Sequence, residues 1–313
     1  MLKFKGTKKK IMKIVFFGTP EFAVPTLEAL KIANNIEVTA VITQPDKKVG
    51  RKQILSPPAV KSCAQKLNIE VKQPTNKEEL KEMVKNFEVD FFIVIAYGMI
   101  LDKEILSIPK YGAINIHASL LPKYRGASPI QQSLLNGDEE TGISIMKMNE
   151  KMDQGPVYFM KKLEIKDDSL EILTKKLALL GSLHLVPILE DIESGMLNPI
   201  PQKEENATYC KKITKEDGKI NWGTQSADQI INMIRAFTPW PSVYTTFNNK
   251  NLKIIKAKKS QTTGTKEIGK LYSENKELKV NTINGTLEIL EVQPEGKSAI
   301  KATDFINGNK SML

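Results

Sequence analysis

Cysteine and histidine are almost missing from this chain of 313 residues, which holds only Cys63, Cys210, His117 and His184. The cysteines stand far apart and form no CxxC pair, so a zinc finger and a disulfide framework are excluded and a His/Cys metal cage is disfavoured. No metal is expected. Aromatic residues are scarce too, at 6%. Uninterrupted apolar runs such as residues 91–96 stop at strand length, far short of the roughly 18 residues of a membrane helix. The GxGxxG pattern of dinucleotide-binding turns does not follow the first apolar run, which removes the main support for a dehydrogenase. These absences point to a protein of the reducing cytoplasm with no membrane partner.

Length and lysine are what the chain does have. A composition of 41% hydrophobic and 26% charged residues suits a globular protein. Single cores stop growing at roughly 250 residues, so one large and one smaller domain are expected. The net charge of +10 is uneven: residues 207–313 carry +7 and the longer part before them +3. Lys3, Lys5, Lys8, Lys9 and Lys10 supply five of the early positive charges. A basic small domain beside a near-neutral large one suggests a polyanionic partner, the bland alternative being a lysine-rich surface without one. Residues 1–11 lack the apolar core of a secretory leader, and Met12 stands directly before an apolar run. They read as a basic extension or as sequence ahead of a true start at Met12.

Along the chain, short apolar runs alternate with helical periods. Strands are expected near 13–17, 37–43, 90–95, 113–117, 143–148 and 157–165, and helices over 23–30, 60–67, 130–135 and 170–193. Strands apolar on both faces and alternating with helices imply an α/β domain with a mainly parallel, Rossmann-like sheet, here placed at 12–195. Residues 196–206, with Pro199 and Pro201, read as a linker. Beyond them a helix over 227–236 precedes short strands at 244–247, 252–257, 268–272 and 286–292, the spacing of a small β-barrel at 207–313.

Several segments carry candidate chemistry. Gly18 follows the first strand where backbone must pass close to something, and Thr19-Pro20 then reads as a helix cap. Residues 44–58 form a long polar loop whose Lys47, Lys48, Arg51 and Lys52 could contact phosphates, unless it is a solvated insertion. Within AINIHASLLPKYRGASPIQ, Asn115 and His117 lie two apart on a strand, so they face the same way at its C-terminal end, where open α/β sheets bind ligands. An amide donor and an imidazole aimed at one point suit an oxyanion formed at a carbonyl carbon. Asp153 sits in a turn closed by Gly155-Pro156; a carboxylate reaching His117 would hold its ring and favour its charged form, although loop carboxylates are usually turn formers. Asp167 and Asp168 precede a helix and read as caps, and His184, within a long helix, as packing.

Taken together, GTPEFAVP, QPD at 44–46, AYG at 96–98, NIHASLLPKYRGASPIQ at 115–131, TGISIMKM at 141–148, MDQGP at 152–156 and AFTPWP at 236–241 resemble the folate-dependent formyltransferases, and among them those acting on methionyl-tRNA. The resemblance runs from about Met12 to the C-terminus. It implies catalytic roles for Asn115, His117 and Asp153 and a folate site including Ser119, Leu120, Leu121 and Pro122, with the 96–98 strand end (Ala96, Tyr97, Gly98) completing a flat slot for the pterin. It also implies that the loop around Arg51 enters the tRNA acceptor end and that the C-terminal barrel is of OB type. The implied reaction moves the formyl group of 10-formyltetrahydrofolate to methionyl initiator tRNA, by a monomer without a metal. A formyltransferase acting on a nucleotide-linked amino sugar and a noncatalytic RNA-binding protein are the alternatives.

Overall fold

The computed structural model describes residues 10–50, 53–262, 264 and 266–313. In chain order, β1 (Met12–Gly18), α1 (Val24–Ile32), β2 (Ile36–Ile42), β3 (Lys47–Val49), β4 (Ile54–Ser56), α2 (Ala59–Lys66), β5 (Val71–Lys72), α3 (Lys77–Val84), β6 (Phe91–Ile95), α4 (Lys103–Leu106) and β7 (Ala113–His117) alternate strand with helix. Then come β8 (Arg125–Gly126), α5 (Pro129–Asn136), β9 (Glu140–Lys147), β10 (Val157–Glu164), α6 (Leu170–Glu193) and β11 (Tyr209–Cys210). The remainder holds α7 (Ala227–Phe237), β12 (Val243–Phe247), β13 (Lys250–Lys259), β14 (Leu271–Glu274), β15 (Glu277–Asn281), β16 (Thr286–Pro294), β17 (Ile300–Lys301) and α8 (Ala302–Asn307).

These elements make two compact units: the chain up to Arg125 with Thr141–Leu163 and Thr174–Tyr209, and Gly126–Glu140 with Glu164–Leu173 and Cys210–Leu313. The first is a seven-stranded sheet in the order β10-β9-β7-β6-β1-β2-β5. β5, β2, β1, β6 and β7 pair in parallel, and β9 runs antiparallel to β7. All five residues of β6 are buried, as a strand covered on both faces requires. One side of this core is aromatic: the Phe17 ring lies 5.0 Å from Phe92 and 5.4 Å from Tyr97, the latter edge-on.

Helix α6 matches its sequence expectation, but reading only continuous apolar runs underrated it. With 24 residues and a mean hydropathy of 1.5 over its apolar window, it is long and apolar enough to cross a membrane. That apolar character is used within the fold, because Leu173, Leu177, Leu185 and Leu189 are wholly buried. Gly181 lets α6 come close to β7, where an added Cβ would stand 2.9 Å from Ile116 Cγ2. His184 packs its ring 4.8 Å from Phe159 on β10, as a packing histidine should.

The polar loop over 44–58 is corrected to an antiparallel ribbon of β3 and β4. Lys61 Nζ bonds both carboxylate oxygens of Asp46, at 2.8 and 2.9 Å, and also the side-chain oxygen of Gln73. Gln73 Nε2 in turn donates to Gln44 O and to Asp46, which closes the base of the ribbon. Arg51 and Lys52 lie outside the described residues, as do residues 1–9 of the expected basic extension. Lys10 is described and pairs with Asp90 at 2.9 Å.

In the second unit the antiparallel strands pair in the path β12-β13-β16-β15-β14, with β17 on β16. The small antiparallel β domain expected is present, though not as a simple meander, since β13 pairs with β16; β15, β17 and α8 stand in addition to the elements anticipated. The unit also takes in α5 and residues 164–173, which sequence order alone would give to the first domain. Arg235 on α7 explains part of this, because its guanidinium donates to the backbone oxygens of Lys166 and Asp168. Lys279, almost fully buried, pairs with Glu274 and Glu277, whose carboxylates push its ammonium up to about 12.

The close passage of α6 over β7 is testable. Replacing Gly181 by Leu should overpack the contact with Ile116 at a cost of about 1–3 kcal/mol and lower the melting temperature by several degrees. An unchanged melting curve would mean that the helix stands off the strand.

Candidate active site

In a sheet apolar on both faces, polar chemistry is confined to the strand ends. β1, β6 and β7 run parallel, with Gly18 opposite Ile95 and Val94 opposite Asn115, so their C-terminal ends share one edge. Among the described residues of this unit, four buried side-chain atoms have no hydrogen-bond partner: Thr43 Oγ1, Gln44 Nε2, Tyr97 Oη and Asn115 Oδ1. All four belong to residues at most two positions from the C-terminal end of a parallel strand. Unsatisfied buried polar atoms are costly, and, apart from Tyr97 Oη, whose ring turns into the core, they mark this edge as a place for a ligand.

Asn115 and His117 meet this edge as the strand period required. Asn115 Nδ2 donates to Val94 O at 2.9 Å, which uses one of its two amide hydrogens. The His117 ring, almost fully buried, approaches Tyr124 O with Nε2 at 2.9 Å. A carbonyl only accepts, so Nε2 carries hydrogen and Nδ1 is the nitrogen turned to Asp153, whose Oδ1 lies 3.6 Å away. Structure thus brings the three expected residues together, with a separation between ring and carboxylate longer than a hydrogen bond.

The turn after His117 is braced by a residue that sequence reasoning passed over. Ser144 on β9 stands opposite His117, accepts from Leu121 N at 3.0 Å and donates to Ser119 O at 2.7 Å. Ser119 is itself buried and gives its hydroxyl to Lys123 O, and Leu121 is buried with Met146 and Val157. The side chains of Ser119 and Leu121 therefore shape the turn from inside, which leaves their backbone for the contacts expected of them. Leu120 and Pro122 stay half-exposed on it.

The expected slot presents backbone rather than an aromatic ring. Ala96 and Gly98 are exposed, but the Tyr97 ring turns into the aromatic core, where burial pushes its hydroxyl up. Ala96 adopts φ 46°, which ends the strand and breaks its alternation. Thr19 does not cap a helix here: its hydroxyl donates to Tyr97 O at 2.8 Å, joining the GTPEF turn to the end of β6. The close approach inferred at Gly18 is to protein, since a Cβ there would meet Ala23 and the backbone of Ile95. Lys47 and Lys48 are exposed on β3.

Residues 196–206, read as a linker, hold unanticipated polar anchors. Arg125 has no exposed surface. Its guanidinium donates to Glu204 at 2.8 and 2.9 Å, to Gln202 Oε1 at 2.9 and 3.0 Å and to Tyr209 Oη at 3.1 Å. Gln202 Nε2 then donates to Asp153 O at 2.8 Å and Gly155 O at 2.7 Å. Among the described residues no group of three or more His, Cys, Asp or Glu side chains could hold a metal ion.

The chain as a whole has known relatives. Residues 12–189 match the formyl transferase family and residues 212–310 its C-terminal domain. The chain belongs to the formyltransferase family. A methionyl-tRNA formyltransferase from Thermodesulfovibrio yellowstonii is 43% identical over 300 residues, 95% of this chain and 96% of that protein. One from Dehalococcoides mccartyi is also 43% identical, over 306 residues and 96% of each chain. Among solved structures, the sugar 3N-formyl transferase WlaRD, crystallised with dTDP and 5-N-formyl-THF, superposes with a TM-score of 0.67 at 22% identity, covering 92% of this chain and 99% of that one. HypX from Aquifex aeolicus with tetrahydrofolic acid gives 0.62 at 14% identity, covering 94% of this chain and 47% of that one. Both share its formyltransferase fold.

The Arg125–Glu204 pair sets an acid-sensitive term in this formyltransferase. The guanidinium bonded to Glu204 holds that carboxyl below the usual glutamate range. A depressed folded value means stability present above the ordinary glutamate pKa of about 4.3 and lost as pH falls through the folded one. Melting curves of the native chain and Glu204→Gln should differ most near neutrality and converge in acid. A gap that held constant to low pH would show that the carboxylate contributes nothing by titrating.

Proposed function

We propose that this formyltransferase moves the formyl group of 10-formyltetrahydrofolate onto the α-amine of methionine esterified to initiator tRNA. Identity of 43% over nearly the whole length of proteins named for that activity carries the reading, together with Asn115, His117 and Asp153 gathered at one strand edge.

The residues fit the formyl donor. The formyl oxygen is an acceptor, and Asn115 keeps one amide hydrogen beyond its bond to Val94 O. The buried, unpartnered Asn115 Oδ1 and Gln44 Nε2 offer an acceptor and a donor to the polar edge of a flat ring system. Leu120 and Pro122 supply apolar contact beside them, and the exposed backbone at Ala96 and Gly98 allows close approach. The donor supplies a carbonyl carbon already bonded to nitrogen.

As the amine attacks that carbon, negative charge grows on the formyl oxygen, and Asn115 stabilises it through its second amide hydrogen. His117, fixed by Tyr124 O, presents Nδ1 on the side of Asp153. A proton on Nδ1 can be given to the oxygen as a second hydrogen bond, because the Asp153 carboxylate at 3.6 Å lies beyond hydrogen-bond length and acts by balancing the charge. Asp153, directly or through water, takes the proton that the attacking amine loses; as the intermediate collapses the bond from the formyl carbon to N10 breaks, and that proton passes to N10 so that tetrahydrofolate leaves. The exposed Lys47 and Lys48, with Arg51 and Lys52, give the ribbon four positive charges for the phosphates near the acceptor end. Lys258 and Lys259 of the second unit are each paired with a carboxylate, Glu288 and Asp228, and are weaker candidates for that role.

The deciding assay compares methionyl initiator with methionyl elongator tRNA, using 10-formyltetrahydrofolate. Preferential formylation of the initiator is expected, and failure to formylate either would end the proposal. Asn115→Ala or His117→Ala should lower turnover by roughly 10² or more with little change in tRNA binding. Wild-type turnover in either would take that residue out of the mechanism.

A second prediction concerns the ribbon. Lys47→Gln and Lys48→Gln should each reduce the logarithmic salt slope of tRNA binding by about 0.7–0.9. An unchanged slope in the double variant would place the phosphate contacts elsewhere.

A further inference from the structure

We propose that Gln202, oriented by the buried Arg125, is a positioning residue that holds the Asp153 carboxylate against His117. This inference rests on the catalytic reading of Asp153 given above and adds residues from the supposed linker to it.

The argument is one of saturated hydrogen bonds. A guanidinium only donates, and it faces Gln202 Oε1 through both Nε and Nη2. The amide oxygen of Gln202 is therefore pinned towards Arg125, and the amide cannot turn over without setting donor against donor. Its nitrogen must point the other way, where its two hydrogens meet the backbone oxygens of Asp153 and Gly155. Every polar atom of this side chain is used, and its orientation follows from its partners alone.

What Gln202 grips needs holding. Asp153 has φ 53°, in the left-handed region that non-glycine residues visit uncommonly, Asp more readily than most, so the turn's conformation depends on what it is bonded to. Two constraints act on the turn. Gly155 lies against β9 so closely that a Cβ would stand 1.8 Å from Lys147 O, and Gln202 bonds the turn at residues 153 and 155. The first constraint sets the depth of the turn and the second its rotation, which aims the carboxylate.

The same network reaches His117 from its other side. Tyr124, whose carbonyl meets His117 Nε2, is also left-handed at φ 58° and immediately precedes Arg125. One path thus runs from His117 through Tyr124, Arg125 and Gln202 to Asp153 and back to the ring. Arg125 shares this anchorage with Glu204 and Tyr209, so the oxygen it offers Gln202 a place for is fixed on a group with no freedom of its own. A carboxylate 3.6 Å from the imidazole is sensitive to small rotations of its turn, and misplacement by about 1 Å can cost as much as 10² in rate.

The test is a double-mutant cycle on kcat, with 10-formyltetrahydrofolate and methionyl initiator tRNA. Gln202→Met keeps the bulk and removes both donors. Gln202→Glu also removes the donors but leaves Arg125 a carboxylate partner, so it folds even if the methionine variant does not. Each should lower kcat by about tenfold or more with both KM values nearly unchanged. In an Asp153→Asn background the same changes should cost less than about twofold, because the group they position is already disabled. Equal losses in both backgrounds, a loss confined to KM, or native kcat in a well-folded Gln202→Glu would overturn the proposal. If Asp153→Asn alone keeps native kcat, the catalytic reading falls first and takes the proposal with it. That outcome is distinct from a loss in Asp153→Asn to which the Gln202 changes simply add.

Discussion

The Arg125 guanidinium has no solvent-exposed surface, and the groups that must surround such a charge organise the polar edge of the N-terminal unit. A buried cation is tolerated only when paired and saturated with hydrogen bonds. Glu204 supplies the charge, and Gln202 and Tyr209 complete the acceptors. The segment after α6 is consequently tied to the strand edge although it lacks regular structure over most of its length. His117 and Asp153 inherit their orientation from backbone that this cation and its partners keep in place.

The parallel sheet supplies the second condition. Because its strands are apolar on both faces, the sheet itself can bear almost no polar chemistry, and the ends of β2, β6 and β7 collect what there is. Ser144, from the antiparallel β9, closes the arrangement by bracing the turn beyond His117. Rigid strands thus carry Asn115 and His117, while Asp153 comes from a turn and depends on outside support. The difference explains why the carboxylate, and not the amide or the imidazole, is the member that needs an external clamp.

Much of this was legible in the sequence, for definite physical reasons. Apolar runs buried on both faces announce themselves, so β1, β2, β6, β7 and the ends of α6 could be read directly, and Asn115 and His117 followed from the two-residue period of a strand. Helix α3 escaped notice because KEELKEMV buries only Leu80 and Val84, too few to show a period. The β3–β4 ribbon is stabilised by Lys61 and Gln73, which are distant in sequence and silent as motifs. The inward turn of Tyr97 was not legible, because β6 ends at Ile95 and the next residue, Ala96, is left-handed, which no pattern of side chains betrays. Gln202 was invisible for the opposite reason: a proline-flanked polar stretch reads as a connection, and its hydrogen bonds depend on an arginine 77 residues away.

Helix α6 carries a consequence for biogenesis. Taken alone, this 24-residue segment has the length and hydropathy of a bilayer-spanning helix. Within the chain it is preceded by all seven strands of its sheet. Domains made on the ribosome begin folding from their N-terminal part, so the partner surface for α6 leaves the exit tunnel before the helix does. A circular permutant that placed α6 first would present the same residues with nothing to cover them, and membrane-targeting factors would then compete with the sheet for the nascent helix.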